Sequence, residues 1–99
     1  GKRIWSWQTM LILTVANKQE TQTVSHPAGP VELGRGPART GAARITVRDA
    51  FVSRDHLKLE EIPGRKLRVE NLSTKAPIAI DGHTMLAPGG VSDERIEAR

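Results

Sequence analysis

Basic and hydroxyl-bearing residues stand at several points where a strand pattern gives way to a loop. Arg35 closes the predicted strand at 31–33, and Ser53 and Arg54 are neighbours in a later connection. Lys75 lies in a loop further along the chain. A dianionic phosphate needs several N–H and O–H donors and positive charge around its oxygens. Loops held by a rigid β scaffold can collect such groups, so these four residues are candidate phosphate-binding residues.

A catalytic interpretation of the chain is weaker. Ser53, Asp55 and His56 are near neighbours in sequence and have the residue types of a hydrolase triad. Residues two or three positions apart in a strand or tight loop do not easily place nucleophile, base and orienting group in one hydrogen-bonded line. The sequence also has no Gly-x-Ser-x-Gly elbow. We therefore expect no enzymatic activity and no cofactor.

The metal-ligating residue types show no useful spacing. His26, His56 and His83 are far apart, and the chain has no Cys. Thiolate zinc sites and disulfides are thereby excluded, and we expect no metal site.

Composition and charge indicate a small β-rich domain. The 99 residues suffice for one domain, and nine Gly and six Pro suit many short strands and turns. The formal charge of +4 favours acidic partners such as phosphorylated proteins, nucleic acid or anionic lipid. The sequence shows no signal-peptide pattern and no apolar run of membrane-spanning length. We expect a cytoplasmic chain with no membrane partner.

Alternating and branched apolar segments predict the elements that would position the candidate residues. Pro63-Gly64 suits a type II turn joining two alternating strands, and Asp81-Gly82 suits a second hairpin. Residues 36–44 read as a flexible loop. Predicted strands cover residues 10–15, 21–25, 31–33, 45–48, 57–60, 66–70 and 78–80, and residues 91–98 are either a final strand or a charged tail. Counting shorter segments, this gives about eight to ten strands, the spacing of a β-sandwich.

Several blocks of the sequence resemble the forkhead-associated (FHA) family. Gly34-Arg35 resembles the family's Gly-Arg at a strand end, and ITVRDAFVSRDH at 45–56 resembles its alternating strand, short loop and Ser-Arg-x-His. NLSTKAPIAIDG at 71–82 lies without gaps on the family's DLGSTNGTFVNG, and Leu86-x-Pro-Gly suits its last turn. The resemblance spans most of the chain and is strongest over 31–90.

The resemblance implies a fold and a function. The fold would be an antiparallel β-sandwich of about eleven short strands, with its last strand short or truncated and its recognition loops at one end. The chain would be a single FHA-like domain, residues 1–99, excised from a larger multidomain protein. Its function would be protein–protein interaction in signalling through phosphothreonine on a partner protein.

The same resemblance implies roles for individual residues. Arg35 and Ser53 would bind the phosphate, and Arg54 would assist. Lys75 would add charge beside them. Gly34 would serve the backbone geometry, and His56 would brace the loops without touching the ligand.

One half of the implied site departs from the family pattern. The family's loop carries Thr-Asn, and its Asn side chain holds the backbone of the phosphopeptide. Lys75 and Ala76 occupy those positions here. The sequence therefore predicts weak, phosphate-dependent binding.

Two other functions remain open. An FHA-like scaffold without phosphopeptide binding would act as an intramolecular or oligomerisation surface, and the oligomeric state is open. A basic nucleic-acid-binding β domain would rest on net charge and the pair Trp5 and Trp7. We expect a phosphothreonine-containing partner and no nucleic acid.

Overall fold

The computed structural model describes residues 11–39, 41–80 and 84–95, and this part of the chain is all-β. No helix long and apolar enough to cross a membrane occurs among these residues. The described strands are β1 Leu11–Ala16, β2 Thr21–His26, β3 Val31–Gly34, β4 Ala43–Thr46, β5 Leu57–Ile62, β6 Lys66–Asn71, β7 Ile78–Ile80, β8 Thr84–Leu86 and β9 Val91–Arg95.

The strands form a central sheet and two separate hairpins. The sheet has five strands in the order β4-β3-β5-β6-β9, while β1 pairs with β2 and β7 with β8. Every described pairing is antiparallel except that of β3 with β4, which is parallel. The expectation of a purely antiparallel fold is therefore wrong at this pair. Two parallel strands that follow each other in the chain cannot be joined by a hairpin turn.

The central hairpin follows the predicted pattern. Leu59 pairs with Val69, and Leu57 pairs with Asn71. Paired residues share one face of an antiparallel ladder, so the alternating apolar positions of both strands face the same side. Gly64 has a φ of 90°, the conformation that a type II turn needs at its third position. The prediction of a hairpin turning at Pro63-Gly64 is confirmed.

The buried core is small and lies on one face of the central sheet. Among the described residues, Val69 and Leu86 are two of its buried hydrophobic members. The other three, Val31, Ile45 and Val47, form one cluster, and Ile45 and Val47 are the inward positions expected for the 45–48 segment. From the β1–β2 hairpin, half-buried Leu13 and Val24 pack against them. Strand β1 alternates between half-buried and exposed positions, because only one face of this hairpin meets the sheet.

Other predictions about the elements are partly corrected. Nine strands are described, within the range of eight to ten counted from the sequence but fewer than the family's eleven. The loop predicted over 36–44 ends earlier, since Ala43 and Arg44 belong to β4. The β7–β8 hairpin is present, although Asp81-Gly82 lies outside the described residues, as do Trp5 and Trp7. A sandwich stays a prediction.

Candidate functional site

Three loops emerge together at one end of the central sheet. Because β3 and β4 run parallel, the loops that follow them (35–42 and 47–56) leave the same edge. Strand β5 is antiparallel to β3 and begins at that edge, and β6 returns to it before the loop 72–77. The parallel pair therefore brings together loops that carry Arg35, Ser53 and Lys75.

Backbone hydrogen bonds tie the three loops to one another. The Arg35 N–H donates to the Ser53 carbonyl at 2.8 Å, and the Gly36 N–H donates to the Arg54 carbonyl at 3.0 Å. The Leu72 N–H donates to the His56 carbonyl at 2.9 Å. Most backbone groups of ordered segments need such partners, and here the bonds run between loops. The loops consequently hold one another in position.

The loops enclose an open depression that contains all four candidate phosphate-binding residues. Its volume is about 360 Å³, and we call it the cationic depression. Arg35, Arg54 and Lys75 supply positive charge, and the described lining contains one carboxylate, that of Asp55. The full lining is Arg35, Ser53, Arg54, Asp55, Leu72, Ser73, Thr74 and Lys75.

The Arg35 side chain is oriented by a contact with the neighbouring loop. Its Nε donates to the Val52 carbonyl at 3.0 Å. The guanidinium group carries five N–H donors in a fixed plane, so this bond sets the plane and leaves the two Nη groups to donate. No hydrogen bond to the Ser53 hydroxyl occurs within the described residues. The Arg35 Nη groups and the Ser53 hydroxyl therefore line the depression as donors that remain available to a ligand.

A buried arginine neutralises Asp55, the carboxylate that lines the depression. Arg44, whose side chain is 3% exposed, donates through Nη2 to Asp55 Oδ1 at 2.5 Å. This hydrogen bond holds the pKa of Asp55 below its ordinary value. Arg39 is 3.8 Å from the same carboxylate. Asp55 thus cancels little of the positive charge that Arg35, Arg54 and Lys75 present to a ligand.

A buried glutamate on β3 binds the same two arginines, Arg39 and Arg44. Glu32 accepts from Arg39 Nε at 3.0 Å and from Arg39 Nη2 at 2.6 Å. The Arg39 hydrogen bonds lower the pKa of Glu32 despite the opposing effect of burial. Arg44 Nη2 lies 3.5 Å from Glu32 Oε1. The four charged residues connect β3, β4 and two loops beneath the depression.

Gly34 occupies a position with no room for a side chain. A Cβ atom there would overlap the Arg54 carbonyl oxygen and lie 2.5 Å from Arg44 Nη1. The requirement is close approach and not a positive φ. Its place next to the site agrees with a role in backbone geometry.

His56 contacts the loop backbone and is absent from the described lining of the depression. Its ring Nδ1 accepts the backbone N–H of Ser53 at 3.2 Å, and the backbone N–H of His56 donates to the Leu33 carbonyl at 2.9 Å. Partial burial lowers the pKa of the ring. The neutral ring, with its proton on Nε2, is the form that can accept this bond. His56 thus links the end of β3 to the Ser53 loop.

Asn71 organises the third loop. Its side chain is fully buried, and its Nδ2 donates to the Ala76 and Leu86 carbonyls at 2.8 and 2.9 Å. Its Oδ1 accepts from the Ser73 N–H and hydroxyl at 2.9 and 2.6 Å. All of its donors and acceptor positions are occupied. Asn71 therefore has no free group to hold the backbone of a ligand, the role that the FHA resemblance implies for an asparagine at position 76.

Sequence reasoning missed the polar residues that support the site. Asn71 followed by Ser73 at the end of a strand is the pattern of an Asx turn, and this signal could have indicated its role. Glu32 and Arg44 look like ordinary outward positions of short strands. Their burial depends on contacts between separate segments, and no local sequence pattern indicates which segments meet.

Other chemistry has little geometric support in the part of the chain that the structure describes. Asp55 binds Arg44, and His56 Nδ1 binds the backbone of Ser53, so Ser53, Asp55 and His56 do not form a relay. No group of three or more His, Cys, Asp or Glu among the described residues could hold a metal ion.

Comparison with models of protein families, with curated proteins and with solved structures finds no match to this chain.

Proposed function

We propose that this chain is a protein-interaction module that binds phosphothreonine on a partner protein. The observation that carries the proposal is the convergence of Arg35, Ser53, Arg54 and Lys75 on one open depression. These residues come from three separate loops, and the nearby Asp55 carboxylate is neutralised by Arg44. A depression that is open, basic and rich in donors is suited to a dianionic group on a flexible segment.

The residues would divide the work of holding the phosphate. Arg35 would donate from its Nη groups, since its Nε is committed to Val52. The Ser53 hydroxyl would add a donor, and Arg54 and Lys75 would supply charge. Hydrogen bonds that involve a charged group contribute about 1.5–3 kcal/mol each. Binding would be weak, because no asparagine is available to hold the peptide backbone beside the phosphothreonine.

The alternative function is an FHA-like scaffold that has lost phosphopeptide binding and acts as an intramolecular or oligomerisation surface. One observation favours it: Ala76 replaces the family's asparagine, and buried Asn71 has no free group to compensate. The retained phosphate-binding residues favour the first function.

The FHA resemblance extends the proposal to the rest of the molecule. The domain would be a β-sandwich in which the β1–β2 hairpin forms part of the second layer. It would belong to a larger multidomain signalling protein and act in the cytoplasm. The chain itself would carry no catalytic activity.

A binding measurement with paired peptides tests the proposal. A degenerate phosphothreonine peptide library is titrated beside its unphosphorylated twin, and binding is followed by fluorescence anisotropy. We expect weak binding of the phosphorylated library and none of its twin. Equal binding of both libraries would contradict the proposal and favour the scaffold.

Nucleic-acid binding is tested in the same assay with single-stranded oligonucleotides. Electrostatic binding of this kind falls steeply with salt and does not depend on peptide phosphorylation. We expect no such binding at physiological ionic strength.

A further inference from the structure

The one phenylalanine of the chain is 95% exposed, at the tip of the loop that also carries Ser53. Covering an exposed aromatic ring with a partner lowers the free energy, because it removes apolar surface from water. A single exposed apolar residue is common on protein surfaces. Phe51 differs because hydrogen bonds hold its backbone in a turn and charged residues lie beside it.

The backbone around Phe51 forms a turn with fixed geometry. The Val52 N–H donates to the Asp49 carbonyl at 3.0 Å, and the Phe51 N–H donates to Asp49 Oδ1 at 2.9 Å. The Val52 side chain packs against the core, and its carbonyl accepts from Arg35 Nε. The turn is thus anchored on one side to the core and on the other to a residue of the cationic depression.

A second depression lies beside this turn, and we call it the Phe51 depression. Its volume is about 520 Å³, and the β1–β2 turn contributes Asn17, Lys18 and Gln19 to its lining. Phe51 and Arg48 line it from the loop 47–56. Lys18 and Arg48 are two cations against the single carboxylate of Asp49, which also accepts the Phe51 N–H. The surface therefore combines an apolar ring with net positive charge.

We propose that the Phe51 depression binds the segment of the partner next to its phosphothreonine, and that this segment carries a bulky apolar residue and an acidic residue. The inference rests on the proposed function, because it extends the same ligand from one depression to the next. Phe51 is two residues from Ser53, and an extended peptide advances about 3.3 Å per residue. A residue within about three positions of the phosphothreonine would therefore reach the ring.

The test uses two phosphothreonine peptides of equal length. The first has Leu and Glu within three positions on each side, and the second has Ala and Gln at those places. We expect the wild-type chain to bind the first about tenfold more tightly, the size of effect that partial burial of one ring would give. Phe51→Ala should reduce this preference to about twofold, because it weakens binding of the first peptide much more than binding of the second.

Two further variants make the test specific. Met85→Ala removes another exposed apolar side chain, 63% exposed and outside the lining of either depression, and should keep the tenfold preference. Lys18→Glu should weaken binding of the first peptide and favour a version with Lys in place of Glu. Circular dichroism and thermal unfolding show whether each variant keeps the wild-type fold.

The outcomes separate the two proposals. Phosphorylation-dependent binding whose preference is unchanged in Phe51→Ala would overturn this inference alone. Equal affinity for phosphorylated and unphosphorylated peptides would overturn the proposed function, whatever the effect of Phe51→Ala. A preference that falls to about twofold in Phe51→Ala, together with a preference of Lys18→Glu for Lys in place of Glu, supports the inference.

Discussion

At Gly34 the chain tolerates no side chain, because the Arg54 carbonyl oxygen occupies the space that a methyl group would take. The same carbonyl accepts hydrogen bonds from the Gly36 N–H and from Arg44 Nη1. A change at this single position would thus move the backbone that carries Ser53 and Arg54. The lack of space for a side chain at Gly34 is therefore linked to the geometry of the cationic depression.

Gly34→Ala should destabilise the domain by about 3 kcal/mol, the upper part of the range for forcing extra atoms into a packed site. Gly29→Ala is the control, since its Cβ would meet nothing within 4 Å and only its φ of 82° opposes the change. We expect the control to lose about 1 kcal/mol. Urea unfolding measures both. Equal losses would show that Gly34 is not a point of close contact.

Arg35→Ala should abolish phosphothreonine binding, because it removes charge and Nη donors together. It also removes the hydrogen bond to the Val52 carbonyl, so a stability loss of about 1 kcal/mol should accompany it. Arg95→Ala is the matched control: it removes the same charge from β9, where Arg95 pairs with Lys66 at the opposite end of the sheet. Calorimetry on both variants decides between a specific contact and a general effect of charge.

Ala76→Asn should strengthen binding of the phosphorylated peptide by restoring the side chain that the family pattern has at this position. The Ala76 carbonyl accepts from Asn71 and Ser73, and the substitution leaves these backbone contacts in place. Affinity is measured by calorimetry. An unchanged affinity would mean that residues 71–82 align differently with the family block or that the site has another use.

At the scale of elements, the loop 72–77 depends on one buried side chain. Asn71 connects the end of β6 to this loop, to β8 through Leu86, and through its backbone to the turn at Gly89-Gly90. Buried polar groups cost free energy when they lose their partners. Asn71 therefore controls the geometry of the loop that carries Thr74 and Lys75.

Asn71→Ala should cost about 2–4 kcal/mol of stability, because it leaves buried carbonyl and N–H groups without partners. Asn17→Ala is the control, since half-buried Asn17 also accepts two backbone N–H groups, those of Gln19 and Glu20, through solvent-exposed hydrogen bonds. Water can replace the side chain there, so we expect a loss below about 1 kcal/mol. Chemical denaturation of the two variants compares them directly.

At the scale of the whole molecule, stability should fall in two stages as the solution is acidified. Burial places the pKa of folded His56 below its ordinary value of 6.5. The unfolded chain therefore binds this proton more readily, and stability declines as the pH falls below about 6.5. Arginine contacts lower the pKa of Glu32 and Asp55 below 4.5 and 3.8. Their contribution is lost in a second stage, below about pH 4.5.

His56→Gln should remove the first stage and leave the second. Urea unfolding at a series of pH values between 3 and 8 measures both. A wild-type stability that stays constant between pH 6.5 and 5 would contradict the assignment of the first stage to His56.

The sequence by itself determined the local β elements of this protein. Alternation places Ile45 and Val47 inward, and Pro63-Gly64 sets the turn of the β5–β6 hairpin, because both signals act over a few residues. The candidate residues Arg35, Ser53 and Lys75 were found in the same way, as donors at strand ends. What they do stays a proposal.

Only the tertiary structure decided how these local pieces combine. The parallel pairing of β3 with β4 brings the loops to one edge, and no turn signal encodes it. Glu32 and Arg44 are residue types that predict exposed side chains. Both side chains are buried, because distant segments pack around them. Phe51 shows the opposite case: its type predicts burial, but the turn held by Asp49 and Arg35 leaves its ring in solvent.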